Sequence, residues 1–143
     1  MMMRRCLLAS LLALPLTLLA DTPNVEPGLW EHTSVTRISG APMEIPEQEY
    51  TQQECLTQEE LDEPDFFIQE GDGCDFYDQE ISSSGMSYTM ICSDHEIGTS
   101  VRMDASLSFF GDRMEGVMEG EMDSPMGQLT MIVEMSGERI GDC

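Results

Sequence analysis

Val101–Cys143 reads VRMDASLSFF-GDR-MEGVMEGEMD-SPMG-QLTMIVEMSGERIGDC. Three runs of alternating apolar and polar side chains are separated by two turn signals. Met103, Ala105, Leu107 and Phe109 alternate with Asp104, Ser106 and Ser108. After Gly111-Asp112 come Met114, Gly116, Met118, Gly120 and Met122, set against Glu115, Val117, Glu119 and Glu121. After Ser124-Pro125-Met126-Gly127 come Leu129, Met131, Val133 and Met135. A period of two places each apolar set on one face of a strand. Met114, Met118, Met122 and Met126 are also spaced by four, as along a helix. Gly116, Gly120 and Pro125 oppose a helix there, so the run is read as strands.

Upstream, Gly28–Ile38 is rich in Thr, Val and Ile and predicts a first strand. Trp30, His32, Ser34, Thr36 and Ile38 share one of its faces, and neither face is cleanly apolar. Met43–Cys55 suits an edge strand only after Pro46. Thr57-Gln58-Glu59-Glu60 is a capping-box pattern and predicts a short helix. Phe66, Phe67 and Ile68 are expected to dock the following loop onto the sheet. Cys74–Ile81 and Met86–Cys92 flank Ser82-Ser83-Ser84-Gly85, a hairpin connection. The expected fold is all-β: an antiparallel meander of about seven strands with one short helix. The meander would form a cupped sheet, a sandwich or a small barrel.

The hairpin register also bears on the cysteines. Cys74 and Cys92 are equidistant from Ser83, and the same register sets Phe76 opposite Met90. Opposed Cα atoms in an antiparallel pair lie about 4.5–5.5 Å apart, within disulfide reach. The expected pairs are Cys74–Cys92 and Cys55–Cys143, the second pinning the C-terminus.

The chain opens MMMRRCLLASLLALPLTLLAD. Arg4 and Arg5 precede an apolar run from Cys6 to Leu19, and Ala20 is a plausible cleavage position, so residues 1–20 read as a signal peptide. The run is short for a membrane span and is broken by Pro15, which argues against a retained anchor. Residues 21–143 then form one disulfide-stapled β domain in the periplasm or outside the cell. All 28 acids lie in this part, against Arg37, Arg102, Arg113 and Arg139 and no lysine. Such a field opposes nucleic acid and anionic headgroups as partners.

Several segments carry a resemblance. PGLWE at Pro27–Glu31, CLTQEEL at Cys55–Leu61, Gly73-Cys74, MICS at Met90–Ser93, FFGD at Phe109–Asp112 and GERIGDC at Gly137–Cys143 occur in this order. Together they resemble the exported bacterial family termed domain of unknown function 3617. The resemblance implies a small periplasmic or secreted protein with paired cysteines and implies no activity. A fainter likeness is to lipocalin-like barrels, where a Gly-x-Trp on the first strand meets an arginine late in the last. Here the residues are Gly28-Leu29-Trp30 and Arg139. It implies a closure contact between Trp30 and Arg139.

Catalytic signatures are missing from the sequence. His32 and His95 lie in no GxSxG, HExxH, phosphate-loop or dinucleotide pattern. The acids at Glu70–Asp75 lack the EF-hand arrangement. No cofactor is therefore expected, and the chain reads as a non-enzymatic binding or interaction domain. Its partner would be an envelope protein or a small apolar ligand. The alternative rests on the 13 methionines, all but the first three in the mature part. Met114, Met118 and Met122 on one strand face, with Met131 and Met135 beside them, suggest thioether binding of Cu(I) or buffering of oxidants. Export is tested by intact mass: protein recovered from the envelope fraction should lack residues 1–20, and a full-length species retained by membranes would refute the leader.

Overall fold

The computed structural model describes residues 22–63, 66–68, 73–94, 98–125 and 127–143. The expected leader at 1–20, the expected acidic turn at 70–72, His95-Glu96 and Met126 lie outside the described residues. Seven strands and one helix follow in order: β1 (Gly28–Ser39), β2 (Gln48–Leu56), α1 (Gln58–Leu61), β3 (Cys74–Ser82), β4 (Gly85–Asp94), β5 (Thr99–Phe109), β6 (Arg113–Ser124) and β7 (Gly127–Gly141). Met114, Met118 and Met122 thus lie on a strand, where glycine is tolerated.

All seven strands form one antiparallel sheet in the order β2-β1-β7-β6-β5-β4-β3. From β3 to β7 the chain is a plain meander. β1 then pairs along β7, from Trp30 opposite Arg139 to Ser39 opposite Thr130, and carries β2 on its outer side. The edges of the sheet are therefore β2 and β3, and the sheet is open rather than a sandwich or a closed barrel. The expected closure by Trp30 and Arg139 is corrected accordingly. These residues are near each other because their strands are sheet neighbours. The first and last strands meet in the interior of the sheet and not across its edges.

Register assigns the faces. Trp30, His32, Ser34, Thr36 and Ile38 of β1 oppose Arg139, Gly137, Met135, Val133 and Met131 of β7. Those continue onto Met114, Gly116, Met118 and Gly120 of β6, and then Phe109, Leu107, Ala105 and Met103 of β5. The reverse face carries Glu31, Glu134, Glu138, Glu115, Glu119, Glu121 and Asp104 at the alternating positions. The apolar face is concave. β2 and β5 stand four strands apart in the sheet, about 19 Å if flat, yet Tyr50 and Leu107 line one cavity.

The core fills one end of this concavity. Val25, Trp30, Leu56, Leu61, Ile68, Met86, Phe109 and Met114 pack together, with Phe66 and Phe67 against them. Trp30 is fully buried, and its indole N–H donates to the Glu26 carbonyl at 2.9 Å. The ring thus buries its area without leaving a donor unmade, and truncation to alanine at such a site costs about 3–5 kcal/mol. The connection between β2 and β3 supplies the cover. Its helix begins with the expected capping box: Thr57 Oγ1 accepts from the Glu60 amide at 3.3 Å, and Glu60 accepts from the Thr57 amide at 2.8 Å. The hydrogen bonds from the Thr57 hydroxyl and amide hold the Glu60 carboxyl below the usual carboxylate range. Phe67 then packs on Phe109 with ring centroids 5.2 Å apart.

The β3–β4 hairpin differs in detail from the expected four-residue turn. Ser82 pairs with Gly85, so the turn holds only Ser83 and Ser84. That tighter turn alone would offset Cys74 from Cys92 by one residue. A bulge between Tyr77 and Glu80, with Asp78 at φ 52°, inserts the compensating residue. Cys74 again faces Cys92, with Cα atoms 4.0 Å apart, and the two are bonded. Cys55 at the end of β2 is bonded to Cys143, 88 residues later and 5.6 Å away at Cα. Loop-closure entropy predicts unequal losses on replacing each pair with serine: about 3 kcal/mol for Cys74–Cys92 and between 4 and 5, about, for Cys55–Cys143. Denaturant unfolding of the two double variants measures them, and equal losses would refute the ordering.

Candidate functional site

The described residues of the short helix and its loop cover one end of the concave face. Met118, Met122, Met131, Val133 and Met135 remain half-buried. Next to the filled core a cavity of about 310 Å³ opens, with Leu107, Met114, Gly116 and Met135 on one side and His32, Ser34, Tyr50, Gln52 and Glu54 on the other. A second hollow of about 390 Å³ lies beneath Phe66 and Phe67. His32, Glu54 and Met114 line both. One wall is thus apolar and flexible, and the other is polar and comes from the edge of the sheet.

His32 stands at the junction. Its ring stacks on Trp30 at 5.9 Å with the planes 11° apart. Its Nε2 is shut off from water and makes no aligned hydrogen bond, although Glu54 Oε1 is 3.0 Å away. The opposite edge of the ring lies against Gly137. A Cβ on Gly137 would sit 2.7 Å from His32 Nδ1 and 2.8 Å from Met114 Cγ. The absence of that atom is what lets imidazole and thioether side chains meet over the backbone. Gly116 acts similarly one step along, where a Cβ would be 2.9 Å from Leu107 Cγ and 3.3 Å from Met135 Cε. Farther along the same face, burial pushes the Tyr88 phenol up.

The residues singled out from sequence are distributed unevenly. Met114, Met118 and Met122 do share a face of β6, but positions four apart on a strand are separated by about 13 Å. Met114 is in the core cluster, whereas Met118 and Met122 lie out along the open end. The three do not converge on one point. Arg139 donates from Nε to the Pro27 carbonyl at 2.7 Å and pairs with Asp142 at 2.5 Å, so it ties the N-terminal lead-in to the C-terminus. His32 was not legible as a site residue, because it lies in no motif. The available signal was its position two residues after Trp30, on the same face. On the convex side Arg37 bridges Glu134 at 2.6 Å and Glu47 at 2.5 Å, which raises its pKa further and staples three segments of the acidic surface.

The close approach at Gly137 is directly testable. Gly137→Ala should shift the His32 ring and lower stability by about 1–3 kcal/mol, the usual cost of overpacking. Thermal unfolding and the His32 ring resonances read both effects; an unshifted ring at parental stability would show that the contact is not tight.

No curated protein and no solved structure matches the chain. The family model described as protein of unknown function (DUF3617) matches residues 25–143, everything after the first 24 residues. The match bears out the resemblance carried by PGLWE near the start and GERIGDC at the end. By that match the chain belongs to the DUF3617 family.

Proposed function

We propose that this is an exported, non-catalytic binding domain that takes a slender, uncharged apolar molecule into the concave face of its sheet. The observation that carries this reading is the cavity of about 310 Å³ walled by Leu107, Met114 and Met135 and edged by Tyr50, Gln52 and His32. Its size and its mixture of apolar wall and few polar groups suit a small ligand. Methionine favours such a role, because an unbranched thioether adapts its shape to an occupant. The charge balance selects the ligand class. A chain with formal charge −22 repels an anionic head, so a neutral one is favoured. Oxidising export would keep all four mature cysteines bonded, which is consistent with the two pairs seen.

A neutral naphthylamine dye that fluoresces in apolar surroundings tests the reading. Ser34→Leu would fill the cavity from β1, opposite Met135, without adding charge. We expect the variant to lose at least about tenfold in dye affinity, roughly 1.4 kcal/mol, with the circular dichroism of the parent. Leu107→Gln, which makes the apolar wall polar, should weaken the dye in the same direction. Unchanged binding in both folded variants would remove the concave face as the site.

A further inference from the structure

Among the described residues, no three His, Cys, Asp or Glu side chains are grouped so that they could hold a metal ion. A metal site built from the described residues would therefore draw on softer donors. We propose that His32, Met114 and Met135 form a Cu(I) site at the inner end of the concave face, with one imidazole and two thioether ligands. This does not rest on the apolar-ligand reading, since it invokes a different ligand class and is tested with copper alone.

Four observations carry it. First, all three side chains line one cavity, so an ion has space and an approach. Second, the sheet register brings them together: His32 and Met114 flank Gly137 from the two strands beside it, and Met135 is two residues before Gly137 on the same face. Third, Gly137 and Gly116 remove the Cβ atoms that would hold these side chains apart. The Nδ1 and Cε1 edge of His32 faces the same point as Met114 Cγ, and Met135 Cε reaches over Gly116 toward β6. Fourth, the imidazole is arranged as a ligand would be. Its Nε2 is buried, and the nearest acid, Glu54, brings a carboxylate oxygen to 3.0 Å from it. A metal-bound histidine commonly directs its second nitrogen to a carboxylate, which fixes the ring. Nδ1 would then ligate and Glu54 would be a positioning residue.

The donor set selects the metal. Two thioethers are poor ligands for calcium, magnesium or zinc and good ones for monovalent copper. The acids of the convex face offer only hard oxygen donors and would not compete for it.

The test uses the disulfide-bonded protein, anaerobically, with ascorbate to keep copper monovalent and no thiol that would open the disulfides. Competition with a colorimetric Cu(I) chelator measures affinity, and Trp30 fluorescence reports position, because the indole stacks on His32. We expect one Cu(I) per chain, quenching of Trp30, and at least a tenfold weaker affinity in both His32→Gln and Met135→Leu. Met118→Leu and Met122→Leu should bind as the parent does and quench equally. Met135→Leu keeps volume and apolarity, so it remains decisive even where His32→Gln fails to fold. The proposal is overturned if the parent does not compete with the chelator. It is equally overturned if folded Met135→Leu binds like the parent, or if Met118→Leu and Met122→Leu weaken binding as much as Met135→Leu does.

Discussion

The pairing of β1 with β7 is the contact on which the rest of the domain depends. It joins the first strand to the last, so it closes the longest loop among the paired strands and carries the largest loop-closure cost. Without it there would be a five-strand meander and a separate two-strand hairpin. A lone hairpin is marginal in water, and a five-strand sheet here would leave its methionine face uncovered. Three further links converge on this seam. Trp30 is sealed beneath it, Arg139 reaches back to Pro27, and Cys143 is bonded to Cys55 on the next strand. The cross-link acts where loop entropy is greatest.

The seam also determines the shape of the concave face. Placing β1 beside β7 brings a mixed strand face, Trp30-His32-Ser34-Thr36-Ile38, next to the methionine strands. One end receives a tryptophan and becomes core. The adjoining positions receive histidine and serine, which do not fill the space, and the cavity lies there. The described part of the covering segment is a four-residue helix, two phenylalanines and an isoleucine. Filled core and open cavity are thus two lengths of one surface, and these described side chains lie over the filled one.

Local pattern went far in revealing this fold. Alternation in the last third located β5, β6 and β7, and Gly116, Gly120 and Pro125 together opposed a helix in the methionine run. The capping box at Thr57 and the half-strand after Pro46 were equally readable, because each depends on neighbours in sequence. The hairpin was read correctly at its cysteines for an incomplete reason. A two-residue turn and a bulge at Asp78 offset each other, and only their sum was visible from the equal distances to Ser83.

The sequence by itself determined the class of structure, the two faces of most strands, the acidic exterior and the cysteine partners. These follow from periodicity, turn chemistry and charge, all of which are local or compositional. Tertiary structure alone decided that β1 lies beside β7, that the sheet stays open between β2 and β3, and that His32 rather than Met118 or Met122 stands beside Met114. Strand order is a competition among distant pairings, and no window of sequence contains both partners. Met118 looks close to Met114 in a list of residues and is about 13 Å from it along an extended strand. His32 is 82 positions earlier in the chain and meets Met114 across a glycine, because antiparallel register brings residues together without regard to their separation in sequence.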